Sequence, residues 1–282
     1  MEFIQRHLIL VFGIVLISPI LCYTQDDFCI PYVESINTVI DFSKSAVLIQ
    51  TPLKEGTGIF INIPFNDIPE KGNVIVITAK HVLGSKFDTL DNPLEYFDTV
   101  VVSMKTQKGQ IDARKYVLAD LVQNYDLAFL APIDKKRSYD EYETFTHNID
   151  SGIAVLSEIK RAQTVFVAGY PFGVGSESIT PVIQSGIISY IDTTNLFALI
   201  DIPINYGNSG GPAYVILNSG EKKLLGLILG FRKNSADKVL NIIGDRLKLK
   251  DANSSLGVVL LLKPFLDEFS SWFKKIRDTD RK

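Results

Sequence analysis

The stretch that decides the reading is Gly207-Asn208-Ser209-Gly210-Gly211-Pro212, a serine set between glycines and closed by a proline. Alone, such a run is a tight turn, because glycine reaches positive φ at no steric cost. Two further residues change its weight. His81 closes the run Ile77-Thr78-Ala79-Lys80-His81, and Asp126 precedes the apolar run Leu127-Ala128-Phe129-Leu130. Taken singly, the histidine reads as a satisfied core or loop residue and the aspartate as a strand-start cap. Together they supply what a nucleophilic serine needs: a base to take its proton and a carboxylate to orient that base.

The expected roles follow from the chemistry. Ser209 attacks a carbonyl carbon, His81 accepts its proton and returns it to the leaving amine, and Asp126 fixes the imidazole tautomer. The backbone N–H groups of Gly207 and Ser209 form the oxyanion hole, and a side chain at position 207 would obstruct that approach. Loss of one such donor raises the barrier by about 2.7–4 kcal/mol, so the turn matters as much as the serine.

The order His, Asp, Ser along the chain is that of the chymotrypsin arrangement, not of subtilisin or the α/β-hydrolases. At these residues the chain resembles the trypsin-like serine proteases and, within them, the high-temperature-requirement (HtrA, Deg-like) family. Ile204-Asn205-Tyr206-Gly207-Asn208-Ser209-Gly210-Gly211-Pro212 is similar to the family's I-N-x-G-N-S-G-G-P. Gly169-Tyr170-Pro171-Phe172-Gly173 and Gln184-Ser185-Gly186-Ile187-Ile188-Ser189 resemble its G-x-P-F-G and T-x-G-I-V-S segments. The likeness spans residues from about Ser45 to about Phe269. It implies an all-β, chymotrypsin-like double β-barrel and protein or peptide substrates.

Three departures bear on function. The family commonly continues into PDZ domains, whereas this sequence ends at Lys282, so PDZ-based peptide sensing is not implied. Tyr206 stands immediately before the oxyanion turn, and Phe231-Arg232-Lys233 replaces the family's small or polar residues beside the specificity pocket. Pro203 occupies the position, six residues before the nucleophile, where trypsin carries the acid that selects Lys and Arg. Pro203, Ile204, Tyr206 and Phe231 are therefore the candidate pocket residues, and small or medium aliphatic side chains are the expected preference.

Composition bounds the other function classes. A formal net charge of −3, with no basic run interleaved with aromatics, argues against a nucleic-acid partner. Cys22 and Cys29 are the only cysteines, too few for a disulfide framework and without metal-ligand spacing, so no metal or cofactor is expected. A barrel protein without disulfides suits a bacterial envelope better than a digestive fluid. Glu2 and Arg6 precede the apolar run from Leu8 to Ile17, which is of signal-peptide length and short for a membrane span. The expected location is thus exported, periplasmic, envelope-bound or secreted, with residues 1–22 a signal peptide or membrane anchor and Cys22 an alternative lipidation site.

Along the chain, residues 32–42 have helical spacing. Residues 46–50, 58–63, 74–78, 99–104 and 127–131 read as strands of a first barrel of about 45–131. Residues 163–168, 180–190, 197–201, 211–217, 224–229 and 258–262 read as strands of a second, of about 153–262. Many short strands punctuated by turn residues suggest closed barrels. His81 and Asp126 then sit on the first and Ser209 on the second, with the site between them. The break falls near 132–152, a charged stretch in which His147 is expected to be solvated. Lys263-Pro264 opens a last helix, about 264–277, with Phe265, Phe269, Trp272, Phe273 and Ile276 on one face to dock on a barrel. The charged stretch 231–256 exceeds ordinary loop length and is expected to carry a small helix or gate.

The functional expectation is an exported serine endopeptidase acting on unfolded or loosely folded protein. Two alternatives stay open: a dedicated effector protease with a narrow target range, and a catalytically silent binding or chaperone protein using the same cleft. Oligomeric state also stays open. Relatives trimerise through an N-terminal segment, in which this chain places Phe28 and Tyr32.

Overall fold

The computed structural model describes residues 40–65, 68–89, 92–133, 147–233 and 253–269. Residues 40–43 are helical, and the chain then enters β1 (Ala46–Gln50), β2 (Glu55–Phe65) and β3 (Ile68–Thr78). A hairpin of β4 (Gly84–Phe87) and β5 (Pro93–Tyr96) follows, and then β6 (Thr99–Lys105), β7 (Ile111–Leu121) and β8 (Ala128–Pro132). The first sheet runs β1-β6-β7-β8-β3-β2 and closes through β1–β2 pairing. The two-residue strand β9 (His147–Asn148) adds to β2 in parallel.

The second barrel uses β10 (Thr164–Gly169), β11 (Val182–Asp192), β12 (Phe197–Asp201), β13 (Pro212–Ile216), β14 (Lys222–Lys233) and β15 (Asn253–Leu261). Its order is β10-β11-β12-β15-β14-β13, closed by β10–β13 pairing. Each barrel is filled from within by β-branched and leucine side chains, Ile59, Ile77 and Val102 in the first and Val167, Ile200 and Val259 in the second. Among the described residues, closure pairs both sides of each strand of the two six-stranded barrels.

Strand β13 shows how the barrels meet. Ala213 and Val215 point into the second core, while Tyr214 packs with the first-barrel cluster, so both faces of the strand are buried. Residues 263–269 are helical, and Phe265, Leu266 and Phe269 are buried in the first cluster. Phe269 stacks on Phe129 of β8 with ring centroids 4.0 Å apart. The expected signal or anchor segment, most of the helix expected at 32–42, and the part of the expected C-terminal helix beyond residue 269 lie outside the described residues.

Two sequence expectations are corrected. His147 is buried, at 1% exposure, not solvated. It stacks on Phe42 at 5.4 Å, and its Nε2 lies 3.3 Å from Ser45 Oγ. The charged letters around it hid a two-residue strand that tertiary pairing creates. The segment 231–256 is not all loop: β14 extends to Lys233 and β15 begins at Asn253, with the two paired there. Residues 234–252, where a small helix was expected, lie outside the described residues.

Candidate active site

His81 sits in a single 3-10 turn, Lys80–Leu83, directly after β3. Val82 and Leu83 bury themselves in the first core and so anchor the turn, leaving the His81 side chain 29% exposed. Asp126 lies at the end of the β7–β8 connection, just before β8, on a loop closed by the Val122 N–H bond to Leu127 O. The two meet twice. His81 Nδ1–H donates to Asp126 Oδ2 at 2.6 Å, and the His81 backbone N–H donates to Asp126 Oδ1 at 3.0 Å. A carboxylate only accepts, so this contact places the proton on Nδ1 and leaves Nε2 as the basic nitrogen.

Electrostatics favour an ionised Asp126. Burial by itself pushes its carboxyl up, but the hydrogen bonds and charge of His81, together with Lys80, outweigh that and hold it below the usual carboxylate range. Burial lowers the Lys80 ammonium despite the opposing pull of Asp126 and Asp120, and burial with Asp126 raises the Tyr96 hydroxyl.

Ser209 stands on the turn that enters β13. Gly207 has φ +95° and Gly210 φ +84°, a region L side chains rarely enter. A Cβ on Gly207 would lie 2.1 Å from Tyr170 O, and one on Gly210 2.0 Å from Thr57 O. Nearly every peptide group around the serine is engaged. Tyr206 O accepts from Phe172 N–H at 2.7 Å, Asn208 N–H donates to Asn205 O at 3.1 Å, and Asn208 O accepts from Gly211 N–H at 2.9 Å. Gly210 N–H donates to Ile228 O at 2.7 Å. Of the N–H groups from Gly207 to Gly211, those of Gly207 and Ser209 make no hydrogen bond among the described residues. Two uncommitted donors on a fixed backbone are suited to receive an anionic oxygen. Ser209 Oγ makes a long 3.4 Å contact with Leu229 O rather than a hydrogen bond to His81.

Sequence reasoning missed the residues that hold this turn. Thr57 of β2 donates its hydroxyl to Gly207 O at 2.6 Å and its N–H to Ser209 O at 3.0 Å. Asn208 is buried, and its Nδ2 donates to Gln184 Oε1 at 3.2 Å, while Gln184 Nε2 donates to Pro203 O at 2.9 Å. Nothing in a lone threonine or glutamine flags these contacts. The nearest signal was the small-residue run Gly56-Thr57-Gly58.

The pocket candidates separate. Pro203 and Tyr206 are exposed, Tyr206 at 69%. Ile204 has no exposed surface and packs in the second core with Ile200 and Ile202, so it underlies the site and lines no accessible wall. The Phe231 backbone pairs with Gly257 in the barrel wall, and its side chain lies outside the described set. Phe172, at φ +52° and 70% exposed, stands beside Tyr206 through their shared hydrogen bond.

A family model described as the trypsin-like peptidase domain matches residues 56–227, more than half of the chain. No curated protein matches the sequence. Among solved structures, the chain is similar to the inactive form of a mutant of Rv3671c from M. tuberculosis H37Rv. Identity there is 17%, with 86% of this chain and 92% of that one covered at a TM-score of 0.50. It is also similar to the MamO protease domain of Magnetospirillum magneticum, at 13% identity, 81% and 97% coverage and a TM-score of 0.51. A third likeness is to the HtrA-type protease AlgW with a tripeptide, at 19% identity, 84% and 62% coverage and a TM-score of 0.51. At these identities the likeness carries the double-barrel fold.

Proposed function

The chain belongs to the trypsin-like peptidase domain family and is a serine endopeptidase, and from that premise we propose that His81, Asp126 and Ser209 are its triad, with Gly207 and Ser209 as oxyanion donors. The observation that carries this reading is the doubly hydrogen-bonded His81–Asp126 pair, together with a nucleophile turn whose two uncommitted N–H groups are those of Gly207 and Ser209.

The mechanism follows from these groups. Substrate carbonyl enters beside Ser209, whose hydroxyl leaves Leu229 O and gives its proton to His81 Nε2 as Oγ bonds to the carbonyl carbon. Asp126 offsets the imidazolium charge, and the two N–H groups hold the oxyanion. His81 then protonates the leaving amine, giving an acyl-enzyme. Water, deprotonated by His81, attacks that ester and releases the new carboxylate with Ser209 restored. In this reading the contact to Leu229 belongs to the resting enzyme, and the serine–histidine hydrogen bond forms when substrate arrives.

Substrates are proteins or peptides. The proposal extends to an exported or envelope-bound enzyme, in the HtrA manner, acting on unfolded chains and preferring aliphatic residues at the cleaved position. Support for export is the apolar run from Leu8 to Ile17, and support for the preference is the absence of an acid at Pro203. Whether the N-terminus anchors it, and whether it works as a homo-oligomer, belong to the same proposal.

The test is cleavage of unfolded casein and of a peptide library by the purified chain, beside Ser209→Ala. Cuts after Val, Ala, Leu or Ile, absent from the variant, are the expected result. A profile dominated by Arg, Lys or Glu would reject the pocket assignment. Equal cleavage by the variant would reject the triad.

A further inference from the structure

We propose that Thr57 is a positioning residue for this reaction: its hydroxyl holds the Gly207 end of the oxyanion turn from the opposite barrel. The inference rests on the triad reading above and adds to it a residue that touches neither substrate nor the reacting atoms.

Thr57 is wholly buried, on β2 of the first barrel, and it contacts three separate segments. Its hydroxyl donates to Gly207 O at 2.6 Å and accepts from Tyr170 N–H at 3.3 Å. Its N–H donates to Ser209 O at 3.0 Å. Its carbonyl accepts from the hydroxyl of buried Thr78 at 2.7 Å, three residues before His81. One residue therefore joins the nucleophile turn, the 170–172 segment and the end of the strand that leads to the base.

The second of these links matters for the oxyanion hole. In a trans peptide the C=O and N–H point in opposite directions. The Gly207 N–H is thus aimed by whatever holds Tyr206 O, and that partner is Phe172 N–H at 2.7 Å. Phe172 follows two residues after Tyr170, which the Thr57 hydroxyl holds. The same hydroxyl fixes Gly207 O on the next peptide. Two consecutive peptides of the turn are thereby restrained through one oxygen, at a glycine, φ +95°, whose lack of a side chain leaves few local restraints on its backbone. The Thr57 methyl would lie 3.2 Å from a Cβ at Gly211, so the β-branched shape also fills the space beneath the turn.

Replacing the hydroxyl by a methyl keeps that shape and keeps the backbone bond to Ser209 O. It leaves Gly207 O and Tyr170 N–H without this partner in a closed site, the costly way to lose a hydrogen bond. The effect should therefore fall on the transition state and spare substrate binding.

The experiment compares the full chain with Thr57→Val and Thr57→Ser, using a peptide the parent cleaves and a trifluoromethyl ketone built on the same sequence. The ketone carbon bonds to Ser209 Oγ, the serine proton passes to His81, and the ketone oxygen becomes the oxyanion. For Thr57→Val, kcat should fall about tenfold, the ketone should bind about tenfold more weakly, and KM should stay within about twofold. Thr57→Ser should restore both kcat and ketone affinity. All values are taken per folded molecule, at a temperature below each variant's melting transition, which removes a merely structural loss. An active parent with an equally active Thr57→Val would overturn the proposal while leaving the triad standing, and so would a Thr57→Ser as impaired as Thr57→Val. A parent that neither turns over nor forms the adduct would overturn the triad reading, and this proposal with it.

Discussion

At the scale of single residues, the site is a set of short-range constraints. Gly207→Ala would bring a Cβ to 2.1 Å from Tyr170 O at a φ that alanine avoids. The expected outcome is a kcat lower by about 100-fold or more with KM little changed, read from initial rates on a peptide substrate. Asp126→Asn keeps the shape but supplies an amide where the Nδ1 proton needs an acceptor, so kcat should drop by about 10⁴-fold, as such a tautomer switch does in related triads. The Asp126 carboxyl is held below its usual range in the folded protein. A depressed folded pKa gives stability that is present above the unfolded carboxylate value of 3.8 and lost as pH falls through the folded one. Urea midpoints measured across acid pH should therefore fall less steeply in Asp126→Asn than in the parent. The proposed triad was nameable from sequence because its chemistry limits it to few residue types. Thr57 and Gln184 were not, because a hydroxyl or amide takes its meaning from a partner far along the chain, 150 residues away for the Thr57–Gly207 pair.

Among elements, β1 was legible in sequence, whereas β7 and β9 were not. Strand β1 reads directly from Ala46-Val47-Leu48-Ile49, buried on both faces. Strand β7 escaped because Ile111-Asp112-Ala113-Arg114-Lys115 exposes most of its length and carries no clean apolar alternation. Strand β9 escaped because parallel pairing to β2, not local sequence, makes it. Burial lowers the His147 imidazole to about 3, so it stays neutral in the fold. The unfolded chain then takes up a proton below about 6.5 and the folded one does not, so stability is full above that pH and falls as acid is added. Between pH 7 and 5 the parent should lose about 2 kcal/mol more than His147→Gln, read by chemical denaturation. The C-terminal helix offers a second test. Phe269→Ala removes a ring stacked on Phe129 in the core and should cost about 3 kcal/mol, seen as a lower melting temperature. Phe265 of the same helix packs edge-on to Tyr125 at 4.6 Å, next to Asp126, so the helix also backs the loop that carries the carboxylate.

For the whole molecule, two barrels divide the work. The first carries His81 and Asp126, the second carries Ser209, and residues such as Thr57 and Tyr214 bind the two together at their contact. The general plan was legible because closed barrels need many short strands with regular turns. The fine boundaries were not, since β2, β3 and β14 extend past their apolar letters on pairing alone. The central claim is that Ser209 is a nucleophile activated within this cleft. The most direct measurement is intact-mass spectrometry of the full chain after treatment with a fluorophosphonate, beside Ser209→Ala and His81→Ala. The account predicts one adduct on Ser209 in the parent and none in either variant at the same exposure. An unlabelled parent, or a variant labelled as fast as the parent, would contradict it.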